Sequence, residues 1–147
     1  MQTFLPYSDF LATARVLDYR RLGKQRVEVL QILGALLEGK GWRNHPATRM
    51  WEGHESGLAY YGVIICKEWK DRGYKDTCMG KIMALADPDS SDMPRWMGWS
   101  DFHISHQSML VQKAPDHYRP YFPNVPEDLE YIWPTGISTR LVPTSTR

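Results

Sequence analysis

The sequence predicts an all-α fold: a compact single-domain helical structure around one long central helix, closed by an irregular arm rich in proline and aromatic residues. Three observations carry this. Apolar residues recur at three- and four-residue spacing, most densely at Val29, Leu30, Ile32, Leu33, Leu36 and Leu37. Nowhere do apolar and polar residues alternate for the length of a strand. The chain of 147 residues, 42% hydrophobic and 24% charged, suits one folded domain rather than a disordered polymer.

Residues 1–7 read as extended, with Pro6 breaking any early helix. Ser8 is a candidate N-cap for a short helix over about residues 9–16, where Phe10, Leu11, Ala14 and Leu17 have helical spacing. Asp18 can cap the central helix, which runs to about Glu38 and is apolar nearly all round. Gly39 and Gly41 end it, one of them in the left-handed conformation. Residues 41–46 form a loop: Asn44 is a turn former, and Pro46 disfavours helix at His45. A short helix near residues 47–51 and a second long one over residues 55–72 follow, the latter closed by Gly73.

Beyond it, Asp, Ser, Gly and Pro crowd residues 73–98. A helical turn at residues 81–86 precedes an exposed loop at residues 87–92. Ser100 caps a third main helix over residues 101–113, which Pro115 ends. Pro120, Pro123, Pro126 and Pro134 then interrupt the arm, with one helical turn near residues 116–119. The domain is expected to span residues 1–134, with residues 135–147 as a flexible tail.

Composition also excludes function classes. No apolar run reaches the roughly 18–20 residues a membrane span needs, and the first residues lack the marks of a signal peptide, so a cytoplasmic protein with no membrane contact is expected. Two cysteines make neither a disulfide scaffold nor a zinc site, and Cys66 falls on an apolar helix face. There is no Gly-rich phosphate loop and no nucleophile elbow. Residues 1–50 hold eight Lys/Arg against four Asp/Glu, a basic half that points modestly to a polyanion.

One stripe stands out. Arg21, Lys24, Gln25, Glu28 and Gln31 fall on a single face of the central helix. Cations and amides around a lone carboxylate suit an anionic ligand and one acid–base event. The alternative is a solvated face on which Glu28 simply pairs with Lys24. Arg43, Asn44 and His45 are either a functional loop or an ordinary one with Trp42 tucked inward. His103 and His106 share a helix face, where hydrogen bonds to a phosphate or a loop carbonyl compete with a metal site that lacks an obvious third ligand. No metal and no cofactor is expected.

Three stretches together resemble the pyrimidine-dimer DNA glycosylase family of the phage endonuclease V type, in its distant branch. Asp18 opens a long helix, Arg21 follows, Glu28 comes seven residues later and Gln31 three further on; then come Asn44-His45-Pro46, and Gly53-His54 leading into a helix that ends Cys66-Lys67-Glu68-Trp69-Lys70-Asp71-Arg72-Gly73-Tyr74. The resemblance covers about residues 8–76 and implies a compact helical domain with its N-terminus against the central helix. It further implies that the α-amino group attacks C1′ of a damaged nucleotide, the base leaves, an imine forms and β-elimination cuts the strand.

Met1 or Gln2 would then supply the amine, and Glu28 occupies the position of the essential carboxylate. Arg20, Arg21, Lys24 and Gln31 would contact double-stranded DNA, with Arg43, Asn44, His45 and His106 as further candidate contacts; no obligate protein partner is implied. Two positions depart from the pattern. Gln2 is bulky enough to hinder removal of Met1, and Arg21 stands where the family has histidine. The lesion is therefore left open. A non-catalytic nucleic-acid-binding module and a helical protein adaptor are the rival readings.

Overall fold

In the computed structural model, which describes residues 1–134, the described chain is all helical and contains no strand. Helix α1 (Phe10–Val16) is capped by Asp9, whose Oδ2 accepts from the Ala12 N–H at 3.2 Å; Ser8 lies one residue too early for the role expected of it. The central helix α2 spans Tyr19–Glu38. Asp18 occupies its N-cap position with extended backbone but makes no side-chain cap bond. Its carboxylate turns instead to Arg21 at 3.2 Å and to the Tyr118 hydroxyl, one hundred residues away in sequence. Gly39, at φ 69°, stops the helix in the left-handed conformation.

Helix α3 (Pro46–Arg49) is short, and α4 (Glu55–Asp71) is the second long helix. Helix α5 (Met79–Leu85) begins two residues before the turn expected there. Helix α6 is Ser100–Lys113, with Trp99 rather than Ser100 at the cap position, and α7 is Pro115–Tyr118. The expected tail, residues 135–147, lies outside the described residues.

The α2–α4 pair is the most extensive helix contact. It closes tightly because α4 presents glycine at the crossing. A Cβ built on Gly62 would stand 2.7 Å from Val29 Cγ1 and 3.0 Å from Ile82 Cδ1. Val29 is β-branched and stiff in a helix, so it cannot easily yield. Gly62→Ala is therefore expected to destabilise by about 1–3 kcal/mol in urea unfolding, despite alanine's better helix propensity. A stability equal to or above wild type would show that the two helices slide apart freely.

Trp51, Tyr61, Phe102 and Tyr118 are the largest side chains fully buried in the core. Cys66 is buried with them, as its helix face predicts. Helix α2 is less uniformly apolar in its environment than its composition predicts. Val27 and Leu37 are exposed, while Gln25 and Glu28 are buried. The polar stripe is thus turned inward along part of its length, and the next section follows what it meets there.

Candidate active site

The stripe meets the chain's own N-terminal segment. Residues 2–6 run alongside α2 with their backbone claimed almost residue by residue. Gln25 Nε2 donates to the Gln2 carbonyl at 2.9 Å, and the Phe4 N–H donates to Gln25 Oε1 at 3.0 Å. Tyr61 on α4 donates its hydroxyl to the Phe4 carbonyl at 2.7 Å, and Trp51 Nε1 donates to Thr3 Oγ1 at 3.0 Å. From α6, His106 Nδ1 accepts from the Leu5 N–H at 2.9 Å, His103 Nδ1 donates to the Leu5 carbonyl at 2.8 Å, and Gln107 donates to the Pro6 carbonyl at 2.8 Å. A buried extended segment with no sheet partner must satisfy its polar groups in this way.

This clamp sets the N-terminal residues and Glu28 in one groove. Met1, Gln2, Glu28, Arg20, Arg21 and Lys24 line one groove of about 390 Å³, joined by Lys113 from the last turn of α6. Glu28 is only 5% exposed. Burial pushes its carboxyl above the usual range, against the opposing pull of the N-terminal ammonium, Lys24, the Gln2 backbone N–H and the Gln25 amide. Gln25 Nε2 donates to Glu28 Oε2 at 2.7 Å. Burial first, then the charge of Glu28, raises the Tyr61 and Tyr131 phenols well above their ordinary range.

Other candidates lie elsewhere. Gln31 is exposed further along α2 and lines a separate cavity of about 370 Å³ with Lys40, Trp42 and Leu85. Arg43 and Asn44 line another, of about 360 Å³, beside Arg49, Glu52 and Glu55. Trp42 is 59% exposed, so it is not tucked inward. His45 caps α3, its Nδ1 accepting from the Ala47 N–H at 3.0 Å. Burial, then the positive N-terminus, holds its imidazole below the ordinary value, which puts it electrostatically near the amine end of the site.

His106 requires a correction. It was a candidate DNA contact, but it is fully buried, with Tyr131 stacked on it at 4.5 Å between ring centroids. It touches the N-terminal segment rather than the surface. Both α6 imidazoles are neutral by hydrogen-bond logic: the Leu5 and Gly98 backbone N–H groups can only donate, so His106 Nδ1 and His103 Nε2 must accept. Burial drives His103 down, and burial together with His103 drives His106 well below the usual value.

The consequence for stability has a definite sign. Groups with depressed histidine values add stability above about pH 6.5, and it is lost as pH falls through and below that value. Each contributes a slope of up to about 1.4 kcal/mol per pH unit. Glu28, with its raised value, works oppositely but only as the carboxyl range is approached. Urea midpoints should therefore fall between pH 7.5 and 5.5, and His106→Gln should flatten that fall. An equally steep fall in the variant would remove His106 as its source.

Of the groove's lining the sequence marks Glu28, the N-terminal residues and three cations but not Lys113, and it does not mark Tyr61 or Tyr131 outside that lining. Gln25 was on the stripe yet was not singled out. No local signal marks the two tyrosines, since both enter from distant segments. Lys113 carried only the generic mark of a cation in a helix's last turn. Among the described residues, no group of three or more His, Cys, Asp and Glu side chains is arranged to hold a metal.

The arrangement is thus an all-helical scaffold holding the N-terminal residues and a buried carboxylate in a groove walled by four cations. The family model described as pyrimidine dimer DNA glycosylase matches residues 1–81, more than half of the chain, and the chain belongs to that family. Membership makes it a DNA repair glycosylase in broad terms, with DNA as its substrate. No curated protein and no solved structure matches it. The matched residues contain Met1 and Glu28 but end inside α5, so the α6 histidines and Tyr131 lie beyond them. Among the described residues, no helix is long and apolar enough to cross a membrane.

Proposed function

We propose that the chain is a DNA glycosylase with abasic-site lyase activity, acting on a damaged or modified base in double-stranded DNA through an imine on its N-terminal amine. The observation that supports this is that Met1, Gln2 and the buried Glu28 carboxylate line one cation-walled groove. The free amine nitrogen attacks C1′; the glycosidic bond breaks and the base leaves with its electron pair, taking up a proton. Opening of the C1′–O4′ bond, with a proton to O4′, gives the imine. Loss of a C2′ proton and expulsion of the 3′ phosphate then cut the strand, and water releases the enzyme. Glu28 stabilises the cationic centre at C1′ and moves protons there.

Arg20, Arg21, Lys24 and Lys113 neutralise phosphates, and Gln31, Arg43, Asn44 and His45, which lie outside that groove, are further contacts to the duplex. A cytoplasmic location belongs to the same reading. Met1 supplies the amine; intact mass of the purified protein checks that it is retained.

Borohydride should trap the chain covalently on an oligonucleotide duplex containing one abasic site. No adduct, with normal binding to that duplex, would leave a non-catalytic nucleic-acid-binding module. Binding absent even at low salt, where phosphate contacts are strongest, would leave a protein adaptor.

A further inference from the structure

Gln25 sits where every part of the site is joined, and the proposed chemistry assigns it no task. It is fully buried. Its Oε1 accepts from the Phe4 N–H at 3.0 Å and from the Tyr61 hydroxyl at 2.7 Å. Its Nε2 donates to the Gln2 carbonyl at 2.9 Å and to Glu28 Oε2 at 2.7 Å. The orientation of the amide is not arbitrary. Phe4 can only donate from its backbone nitrogen, so the oxygen must face it; the Gln2 carbonyl and the carboxylate only accept here, so the NH₂ must face them. All the hydrogens of the amide are spoken for.

We propose that Gln25 is the positioning residue that holds the N-terminal amine and the Glu28 carboxylate in register. One planar group grips the segment carrying the nucleophile with one hydrogen and the carboxylate with the other. Neither partner can move without stretching a buried hydrogen bond, and a displacement near 1 Å is enough to cost about 10²-fold in rate. Tyr61 completes the device by closing the lone-pair side, so the amide cannot rotate. Core packing alone would ask for an apolar residue at this position; a buried polar side chain with every group satisfied instead specifies one geometry.

The inference rests on the reading of the amine and Glu28 as the reacting pair. The decisive variant is Gln25→Glu, which preserves shape and both acceptor contacts but loses both donors. The rate of borohydride trapping on abasic duplex should fall roughly 10–100-fold, up to the scale of a misplacement near 1 Å. Affinity for a duplex carrying a non-reactive tetrahydrofuran analogue should stay within about threefold, because phosphate contacts set it.

A second readout separates positioning from mere packing. The Glu28 carboxyl resonance, followed by carbon NMR, should titrate at higher pH in the variant, having lost a donor and gained a like-charged neighbour. The other titratable groups facing Glu28, namely the N-terminal amine, Lys24, Tyr61 and Tyr131, are unchanged in it. Tyr61→Phe, which unlocks the amide without placing charge in the core, should slow trapping in the same direction but less. An unmoved carboxyl titration, or trapping within about threefold of wild type in both variants, overturns the positioning role. A wild-type chain that forms no adduct overturns the reading of the site instead.

Discussion

Glu28→Gln is expected to slow strand cleavage at an abasic site by about 10²–10⁴-fold, the range for removing a positioned acid–base group. The substitution keeps the side chain's shape and its ability to accept from Gln25 Nε2. It removes the negative charge that faces the N-terminal ammonium and would face the cationic centre at C1′. Affinity for DNA should hold or rise, since a carboxylate leaves a groove that binds phosphates through Arg20, Arg21, Lys24 and Lys113. Thermal stability at neutral pH should also hold or rise. A carboxyl whose value is raised by burial costs stability in its ionised form, and the cost fades as pH falls toward the ordinary carboxylate range. A short peptide added before Met1 should abolish trapping by the same logic, because it converts the amine into an amide without touching Glu28. Cleavage at the wild-type rate by either protein would remove the amine–carboxylate pair from the mechanism.

The second large effect concerns the scaffold. Trp51→Ala should destabilise by about 3–5 kcal/mol, the usual cost of emptying a buried aromatic site. Trp51 is fully buried, edge-on to Trp96 at 5.1 Å and stacked near Tyr61 at 6.5 Å between ring centroids. Its indole N–H also holds Thr3, two residues from the N-terminus. For a chain of this size each kcal/mol moves the melting midpoint by about 2–4 °C, so circular dichroism would resolve the change easily. Trp51→Phe keeps most of the area but loses the Thr3 bond; about 1 kcal/mol is expected for it. In Trp51→Phe the trapping rate should fall further than the small stability loss suggests, since the N-terminal segment loses an anchor. A Trp51→Ala midpoint within about 2 °C of wild type would mean that the core repacks around the void.

The helices were legible because their causes are local. Spacing of three and four residues placed α2, α4 and α6 within a residue or two of their observed bounds, and Gly39 stops α2 through its own backbone freedom. Caps were less legible. Asp9 rather than Ser8 caps α1, and Asp18 abandons its cap for Arg21 and Tyr118. Several side chains nearby can accept from a free helix N–H, and a partner one hundred residues away can outcompete the local one.

The stripe on α2 shows the same division at the site. Periodicity alone put Arg21, Lys24, Gln25, Glu28 and Gln31 on one face, and the family resemblance singled out Glu28. Neither could say that the face splits, with Gln25 and Glu28 buried and Lys24 and Gln31 exposed. That depends on the N-terminal segment lying over part of the helix. It was also beyond sequence reasoning that His106 points inward to Leu5, or that Tyr131 of the arm stacks on His106.

What the sequence by itself determined is therefore the inventory: an all-helical chain, a central helix with one carboxylate among cations, and a free amine somewhere near. Only the tertiary structure decided how the first residues are held in one groove with the carboxylate. Bonds from Gln25, Trp51, Tyr61, His103, His106 and Gln107 to the first six residues span 21 to 101 positions of sequence. Contacts over such separations follow from how helices pack, because a buried backbone takes whichever partners the packing brings within reach.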